Sequence, residues 1–234
     1  MSKGSKEDCY RDLKQNILTT ALAPGADLDE ARLSAQYGIS RTPLREVLQR
    51  LSGEGFVRIE ANRGAKVASM GVGAMRTFFQ TAPMIYANIA RLAAENRTGE
   101  KLGDLKHIQR GFLDAISGGN PTEAALSNHA FHDKIGEMAH NPYLTACLDR
   151  LLIDHTRLGQ TFYSAAAPAE TALIAKAAEQ HDAMISAIEA REAALAIDLT
   201  LQHWDLSRDQ MERFVRPDPL PVDVVSLKDR RNAV

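Results

Sequence analysis

Hydrophobic residues recur at helical spacing in three short segments near the start of the chain. The segments are residues 6–21, 30–37 and 41–54, and each carries an apolar stripe with a period close to 3.6 residues. Gly38 directly follows the second segment, and glycine in this position commonly ends a helix. Ser40 then stands where a side chain caps the next helix. The pattern predicts three helices, the last two joined by a tight turn.

A different pattern follows the third predicted helix. Residues 56–60 and 65–69 alternate apolar and polar side chains on either side of an Asn62-Arg63-Gly64 turn, which is typical of a β-hairpin. Three helices, of which the last two form a helix-turn-helix, followed by a hairpin make a winged helix-turn-helix arrangement. We therefore expect a domain of this kind over residues 6–69.

The remainder of the chain shows neither a strand-like pattern nor an internal repeat. Alanine- and leucine-rich segments keep a helical period as far as residue 215. The predicted helices are 72–96, 101–117, 122–139, 142–164, 168–189 and 191–215. They predict a mainly α fold, with an antiparallel bundle of about six or seven helices over residues 72–215. Residues 216–234 contain three prolines and no helical stripe, so we expect a flexible tail there.

Composition mainly excludes classes of protein. Of the 234 residues, 44% are hydrophobic and 25% are charged, which fits a globular protein and excludes collagen-like, disordered and disulfide-scaffold classes. No stretch approaches the roughly 18 apolar residues of a membrane span, so we expect no membrane partner. Two distant cysteines and the absence of a signal-peptide core predict a cytoplasmic protein. The net charge of −2 gives no sign of a polyanionic partner.

Basic and hydroxyl side chains gather where a recognition helix would meet DNA. Arg41 and Arg45 are four residues apart and so share one face of the predicted helix, at its N-terminal end. A guanidinium group can contact guanine O6 and N7 together, and hydroxyl groups suit phosphate oxygens. Taken alone, each arginine would be interpreted as a solvated surface residue. The order of the predicted helices, turn and hairpin favours a contact with DNA instead. The predicted contact residues are Ser40, Arg41, Thr42, Arg45, Arg63 and Gly64.

Histidines are concentrated in the second half of the chain. Asn128 precedes His132 by one helical turn, and His181 and His203 lie on two later predicted helices. Imidazoles from three helices and a side-chain oxygen can converge on a divalent metal ion of the zinc, nickel or manganese class inside a bundle. On spacing alone, hydrogen-bonded histidines of the core or surface are the simpler interpretation.

Longer motifs in both halves carry a resemblance to known families. Residues 39–48, Ile-Ser-Arg-Thr-Pro-Leu-Arg-Glu-Val-Leu, followed by Glu54-Gly55-Phe56-Val57 and Arg63-Gly64, resemble the GntR family of bacterial transcription regulators over residues 6–69. Residues 131–135, Phe-His-Asp-Lys-Ile, then Asn141-Pro142-Tyr143-Leu144, His181 and His203, resemble the all-helical FCD effector domain found in this family.

The resemblance implies a homodimer that reads a palindromic operator in double-stranded DNA. It also implies a metal site made by His132, His181, His203 and the side chain one turn before the first histidine. That side chain is Asn128 here, where the family usually has aspartate, so the site is one negative charge short. Effectors in the family are commonly small carboxylates, which a metal ion can bind.

Two arginines are candidates to pair with such an anionic effector. Arg150 and Arg157 are seven residues apart and so share one face of a predicted helix. The alternative is an exposed polar stripe that they form with Asp149 and Asp154, and the sequence does not separate the two interpretations.

The favoured hypothesis is a ligand-responsive transcription regulator that acts as a repressor. A regulator that senses the metal ion itself is the first alternative. A helical-bundle metalloenzyme is disfavoured, because Glu137-Met138-Ala139-His140 is the one Glu-x-x-His pair in the sequence and no His-Glu-x-x-His, Gly-x-Ser-x-Gly or Walker motif occurs.

Overall fold

The computed structural model describes residues 5–60, 64–164 and 168–215. The predicted tail, residues 216–234, and the wing residue Arg63 lie outside the described residues. The described helices and strands, in chain order, are α1 (Lys6–Leu18), β1 (Asp27–Leu28), α2 (Glu30–Tyr37), α3 (Arg41–Glu54), β2 (Val57–Glu60), β3 (Gly64–Val67), α4 (Val72–Asn96), α5 (Gly99–Ser117), α6 (Pro121–Met138), α7 (Pro142–Tyr163), α8 (Pro168–Glu189) and α9 (Ala193–Val215). A mainly α fold with a winged helix-turn-helix followed by a helical bundle is confirmed.

The first helix is shorter than the sequence pattern predicts. Ser5 and Asp8 form a reciprocal capping box at its start. The helix ends at Leu18 instead of residue 21, because Thr20 adopts a left-handed backbone conformation with φ of 60°. Ala21, the last residue of the predicted stripe, is exposed, whereas Leu22 packs against the core of the winged domain.

The second and third helices form the predicted helix-turn-helix. Asp29 caps α2 by accepting a 2.7 Å hydrogen bond from the backbone N–H of Arg32. Gly38 ends α2 with φ of 61°. Ser40 occupies the N-cap position of α3, but its side chain makes no capping hydrogen bond. The predicted side-chain cap is therefore wrong, and the Ser40 hydroxyl is not committed to its own helix.

The wing is a three-stranded sheet with the order β1-β3-β2. Strands β2 and β3 form the predicted antiparallel hairpin, in which Val57 pairs with Val67. Strand β1 pairs with the other edge of β3, with Asp27 opposite Lys66. The sequence did not indicate β1, because two residues are too short to show an alternating pattern.

Helices α4 to α9 form the bundle. Its main core is built from apolar side chains such as Met75, Phe131 and Trp204. Helix α5 begins at Gly99, two residues earlier than predicted, because Thr98 caps it. Helix α9 begins at Ala193, because Arg191 has φ of 59° and cannot continue a helix. No helix in the described part of the chain is long and apolar enough to cross a bilayer.

Helix α7 joins the bundle to the winged domain. Ile153 is buried within the core cluster of the winged domain. Nη1 of Arg157 donates a 2.7 Å hydrogen bond to the backbone oxygen of Ala68, just after the wing. Nε2 of Gln160 donates to the backbone oxygen of Leu18 at the end of α1. One bundle helix thus packs against several elements of the winged domain.

Candidate DNA-binding face and metal centre

The N-terminal end of α3 presents exposed polar side chains. Ser40, Arg41, Thr42 and Arg45 are all exposed, while the opposite side of the helix is buried by its leucines and valine. Arg41 and Arg45 are one turn apart and share a face. The Ser40 hydroxyl, which does not cap the helix, lies where the positive end of the helix dipole favours an anion. The four residues predicted to contact DNA from this helix therefore lie together at one accessible helix end.

Arg45 is held from one side by a residue that sequence reasoning missed. Its Nε donates a 2.9 Å hydrogen bond to Oε2 of Glu30, the first residue of α2. The Arg45 side chain is 63% exposed and the Glu30 side chain 23%. A bond at Nε leaves the two terminal nitrogens of the guanidinium for another planar acceptor. Glu30 thus limits the orientations that Arg45 can adopt.

The wing lies beside this helix end. A groove between α3 and the wing is lined by residues that include Arg41, Arg45, Glu60 and Gly64. Gly64 has φ of +80°, a left-handed conformation that favours glycine. Arg63 lies outside the described residues, so its predicted contact is not part of this geometry.

Three histidines from separate helices meet inside the bundle. His132 on α6, His181 on α8 and His203 on α9 are buried, and one ring nitrogen from each lies within 4.8 Å of the other two. The centroids of the His181 and His203 rings are 4.7 Å apart, and those of His132 and His203 are 5.5 Å apart. The three imidazoles that the sequence singled out are therefore brought together.

Several polar atoms of the cluster and of the helical turn before His132 are buried without a hydrogen-bond partner. They are Nε2 of His132, Nε2 of His181 and Oδ1 of Asn128. A buried nitrogen or oxygen lone pair without a partner is costly, so its presence calls for an explanation. Nitrogen and amide-oxygen donors suit a divalent ion of the zinc or nickel class. The unpartnered atoms therefore fit a metal ion better than they fit an ordinary packed core.

Gln109 fixes which nitrogen of His181 carries the proton. Its Nε2 donates to the backbone oxygen of Ala178 and to Oδ1 of Asp182, so its Oε1 must accept the hydrogen bond from Nδ1 of His181, 3.0 Å away. The proton is thus on Nδ1, and the lone pair of Nε2 points into the cluster. Metal-binding histidines are usually oriented by an outer partner of this kind. Gln180 contacts His203 similarly, with Oε1 3.2 Å from Nδ1.

Burial keeps the imidazoles uncharged. Burial lowers the pKa of His132 and His181 well below the ordinary value of 6.5, and for His132 the neighbouring histidines lower it further. Burial also lowers the pKa of His203 to about 4. All three rings are neutral at pH 7, which is the protonation state that a metal ligand requires.

A tyrosine and a fourth histidine adjoin the cluster. The hydroxyl group of Tyr86 on α4 is 2.7 Å from Nδ1 of His155 on α7, and both side chains are buried. The centroid of the His132 ring is 5.3 Å from that of Tyr86 and 5.2 Å from that of His155. Sequence reasoning assigned no role to this pair, because no spacing links residues that are 69 positions apart.

The two arginines expected to bind an effector have other contacts. Arg157 is buried, and its guanidinium group contacts Asp154 and the backbone oxygen of Ala68. Arg150 packs over Gly55 so closely that a Cβ atom added at Gly55 would lie within 2.8 Å of three Arg150 atoms. Both side chains therefore contact the winged domain in this structure, and the expectation that they pair with an effector stays a prediction. Seven-residue spacing predicted their shared side of α7 but not what that side packs against.

Two family models match the chain. The model described as bacterial regulatory proteins, gntR family, matches residues 5–67, and the model described as FCD domain matches residues 79–206. The FCD match covers more than half of the chain, and the two matches together include every residue of both candidate sites.

Relatives and solved structures agree with these matches. The HTH-type transcriptional repressor RspR of Escherichia coli K12 is 23% identical over 197 residues, which cover 84% of each chain. The uncharacterized HTH-type transcriptional regulator YdhC of Bacillus subtilis is 23% identical over 143 residues, which are 61% of this chain and 64% of that protein, so the matched part spans less than two thirds of YdhC. The structure of E. coli McbR/YncC superposes with a TM-score of 0.77 at 21% identity, and the match covers 90% of this chain and 98% of that one. This last likeness shows a shared fold.

Proposed function

The chain belongs to the GntR family of bacterial regulatory proteins and carries an FCD domain, and from this premise we propose that it is a repressor whose DNA binding is controlled by a small carboxylate. The relatives are named as transcriptional regulators, which supports a sensing role and not a catalytic role for the bundle. The proposal has a DNA-binding half and an effector half.

In the DNA-binding half, two copies of the chain bind a palindromic operator. The N-terminal end of α3 enters the major groove, where Arg41 and Arg45 contact base edges. The hydroxyl groups of Ser40 and Thr42 contact phosphate oxygens and fix the position of the helix. The wing at Arg63 and Gly64 approaches the neighbouring backbone or minor groove.

In the effector half, His132, His181, His203 and Asn128 hold a divalent metal ion. The observation that carries this half is that Nε2 of His132 and Nε2 of His181 are buried without a partner in a cluster of three imidazoles, and that Oδ1 of Asn128, one turn before His132, is buried without a partner as well. A bound ion would supply a Lewis-acid position for a carboxylate oxygen. The chain's own part is to orient the imidazoles, through Gln109 and Gln180, and to keep them neutral by burial.

Helix α7 offers a route from the effector half to the DNA-binding half. It carries His155, which contacts the cluster, and Ile153, Arg157 and Gln160, which contact the winged domain. In this proposal α7 has one arrangement in which the dimer can bind DNA and one in which it cannot. An effector that binds these two arrangements with unequal affinity shifts the distance between the two recognition helices of the dimer. Operator half-sites tolerate little change in that distance.

Operator binding tests the proposal directly. A fluorescently labelled duplex from the promoter upstream of the gene is titrated with the full chain, first alone, then with zinc, then with zinc and each of a panel of small carboxylates. We expect tight, salt-dependent binding that at least one carboxylate weakens in the presence of zinc. The stoichiometry of binding should be one dimer of the chain per duplex.

Each other outcome has a defined meaning. Release by zinc alone would favour a regulator that senses the metal ion itself. No binding to any fragment of that promoter would contradict the DNA-binding half, and binding that neither zinc nor any acid alters would contradict the effector half. The exposed variant His107→Ala serves as a control for effects of losing a histidine outside the cluster.

A further inference from the structure

A second cavity, which we call the end cleft, lies at one end of the bundle. It is lined by the end of α5, the start of α6, the end of α7 and the start of α8, through residues that include Ile116, Ala124, Tyr163 and Ile174. Its volume is about 440 Å³, and small-molecule pockets commonly measure about 300–1,000 Å³. The end cleft is therefore large enough for a ligand of one or two rings.

The end cleft is separate from the candidate metal centre. The two sites share no residue. The buried ring of Phe112 contacts a residue of each, because its centroid is 5.6 Å from that of Tyr163 and 4.9 Å from that of His181. A ligand in the end cleft would therefore occupy a different position from a metal ion held by the three histidines.

The lining of the end cleft is uncharged. Apolar side chains such as Ile116, Ala124 and Ile174 form much of its wall. The polar lining residues carry only hydroxyl and amide groups, and they are Ser117, Asn120, Tyr163, Ser164 and Thr171. None of the lining residues that the structure describes is charged at neutral pH. A charged ligand would lose hydration in this cleft without gaining an opposite charge.

Tyr163 offers a hydrogen-bonding group to an occupant of the end cleft. Its side chain is only 8% exposed, yet its hydroxyl forms no hydrogen bond with any residue that the structure describes. Burial raises the pKa of Tyr163 above its ordinary value of 10, so the hydroxyl keeps its proton at pH 7. It can donate one hydrogen bond and accept others. A largely buried hydroxyl without a partner is costly, and a ligand in the cleft would supply that partner.

We infer that the end cleft binds a small uncharged molecule that combines an apolar ring with one hydrogen-bonding group. The ring packs against the apolar wall, and the polar group bonds to the hydroxyl of Tyr163. This binding needs no metal ion, so the bundle has two ligand sites of different chemistry. The inference does not depend on the proposed metal centre.

Pairs of ligands that share a ring and differ in charge provide the test. The full chain, with isoleucine methyl groups labelled with ¹³C, is titrated in the presence of a chelator with benzamide and benzoate, and then with cyclohexanecarboxamide and cyclohexanecarboxylate. We expect at least one amide to shift the methyl signals of Ile116 and Ile174 in a saturable way, and to bind about tenfold or more tightly than its carboxylate. The methyl signals of Ile153, in the core of the winged domain, should not move.

Two variants locate the binding in the end cleft. Tyr163→Phe keeps the ring and removes the hydroxyl, so the affinity for the amide should fall by about 2–10-fold. Tyr143→Phe, which removes an exposed hydroxyl, is its matched control. Ala175→Trp places a large side chain in the cleft and should abolish the shifts, whereas Ala172→Trp, at an exposed position of α8 outside the lining, should keep them.

The alternative results each overturn the inference. Unchanged signals of Ile116 and Ile174 with both amides would show that the end cleft does not select such ligands. Equal affinity for an amide and its carboxylate would contradict an uncharged ligand class. Binding that neither Tyr163→Phe nor Ala175→Trp weakens would place the ligand elsewhere. If Ala175→Trp fails to fold, as circular dichroism would show, Tyr163→Phe against Tyr143→Phe still decides.

Discussion

The arginines at the start of α3 and the histidines of the bundle are both sets of nitrogen-bearing side chains on helices, yet they lie in opposite environments. The side chain of Arg45 is 63% exposed and has an acidic neighbour in Glu30, whereas His181 is fully buried among aromatic rings. Water solvates an exposed charged group, so the absence of a protein partner costs it little free energy. A buried polar group lacks that solvation, so a buried lone pair without a partner indicates a bound ligand.

This contrast predicts two kinds of response to mutation. Exposed contacts to DNA should act separately and be screened by salt. Buried donors around one ion should act as a unit, because losing any one changes the position and charge balance of all the others.

Removing one imidazole should nearly abolish metal binding. His181→Ala deletes a donor whose Nε2 is oriented by Gln109, and we expect zinc affinity to fall by more than about 100-fold, beyond the effect of losing an outer partner. Calorimetric titration of the metal-free variant measures the loss. His107→Ala, which removes an exposed histidine, should bind zinc like the wild type. Wild-type affinity in His181→Ala would exclude this imidazole from the centre.

Removing the outer partner should have a smaller effect on the same measurement. Gln109→Leu keeps similar volume but no longer fixes the proton of His181 on Nδ1, so zinc affinity should fall by about 10–100-fold. Gln80→Leu, at an exposed position of α4, is the matched control. Equal zinc affinity in both variants would mean that Gln109 packs in the core without orienting the ligand.

Removing one exposed arginine should cost DNA discrimination and leave the bundle unchanged. Arg45→Ala should weaken operator binding by about 1–3 kcal/mol if its guanidinium contacts a guanine. Fluorescence anisotropy with the operator and with a scrambled duplex measures the loss of preference. Arg91→Ala, in the bundle, removes the same charge from a surface that should not contact DNA. If both variants lose affinity equally for both duplexes, Arg45 contributes charge and not base recognition.

Acid should destabilise the metal-free bundle through the buried histidines. The pKa of His203 is about 4 in the folded chain, and an exposed histidine titrates near 6.5, so the unfolded state takes up the proton first. The free energy of unfolding should therefore be constant above about pH 6.5 and fall by up to about 1.4 kcal/mol per pH unit for each such histidine towards pH 4. Urea unfolding in the presence of a chelator measures it.

One variant from each region shows which region makes the free energy of unfolding depend on pH. His203→Gln should flatten the slope between pH 6.5 and pH 5, whereas Arg45→Ala should leave the slope unchanged, because arginine keeps its charge over this range. A slope that is the same in all three proteins would show that other groups control the acid sensitivity.

Local signals in the sequence predicted the winged domain well. The period of α3 and the left-handed turn at Gly38 are set by neighbours within a few residues. The two-residue strand β1 was missed, because it exists by pairing with β3 nearly forty positions later. Boundaries moved where single residues such as Thr20 adopt left-handed backbone angles, which no apolar pattern indicates.

The candidate site depends on long-range packing, so the sequence predicted its members but not their arrangement. The resemblance selected His132, His181 and His203, and packing of three helices brings them together. Gln109 lies 72 positions from the histidine that it orients. Helical spacing cannot predict a contact between residues so far apart in the sequence. For the same reason Arg157 was assigned to an effector, although it packs against the winged domain.

The most direct measurement is the anomalous difference density of crystals grown with zinc, recorded on both sides of the zinc absorption edge. The account predicts one strong peak per chain between the Nε2 atoms of His132 and His181 and the ring of His203, with Asn128 Oδ1 among its neighbours. Well-ordered crystals of the zinc-containing protein with no peak among these side chains, or with zinc held elsewhere, would contradict it.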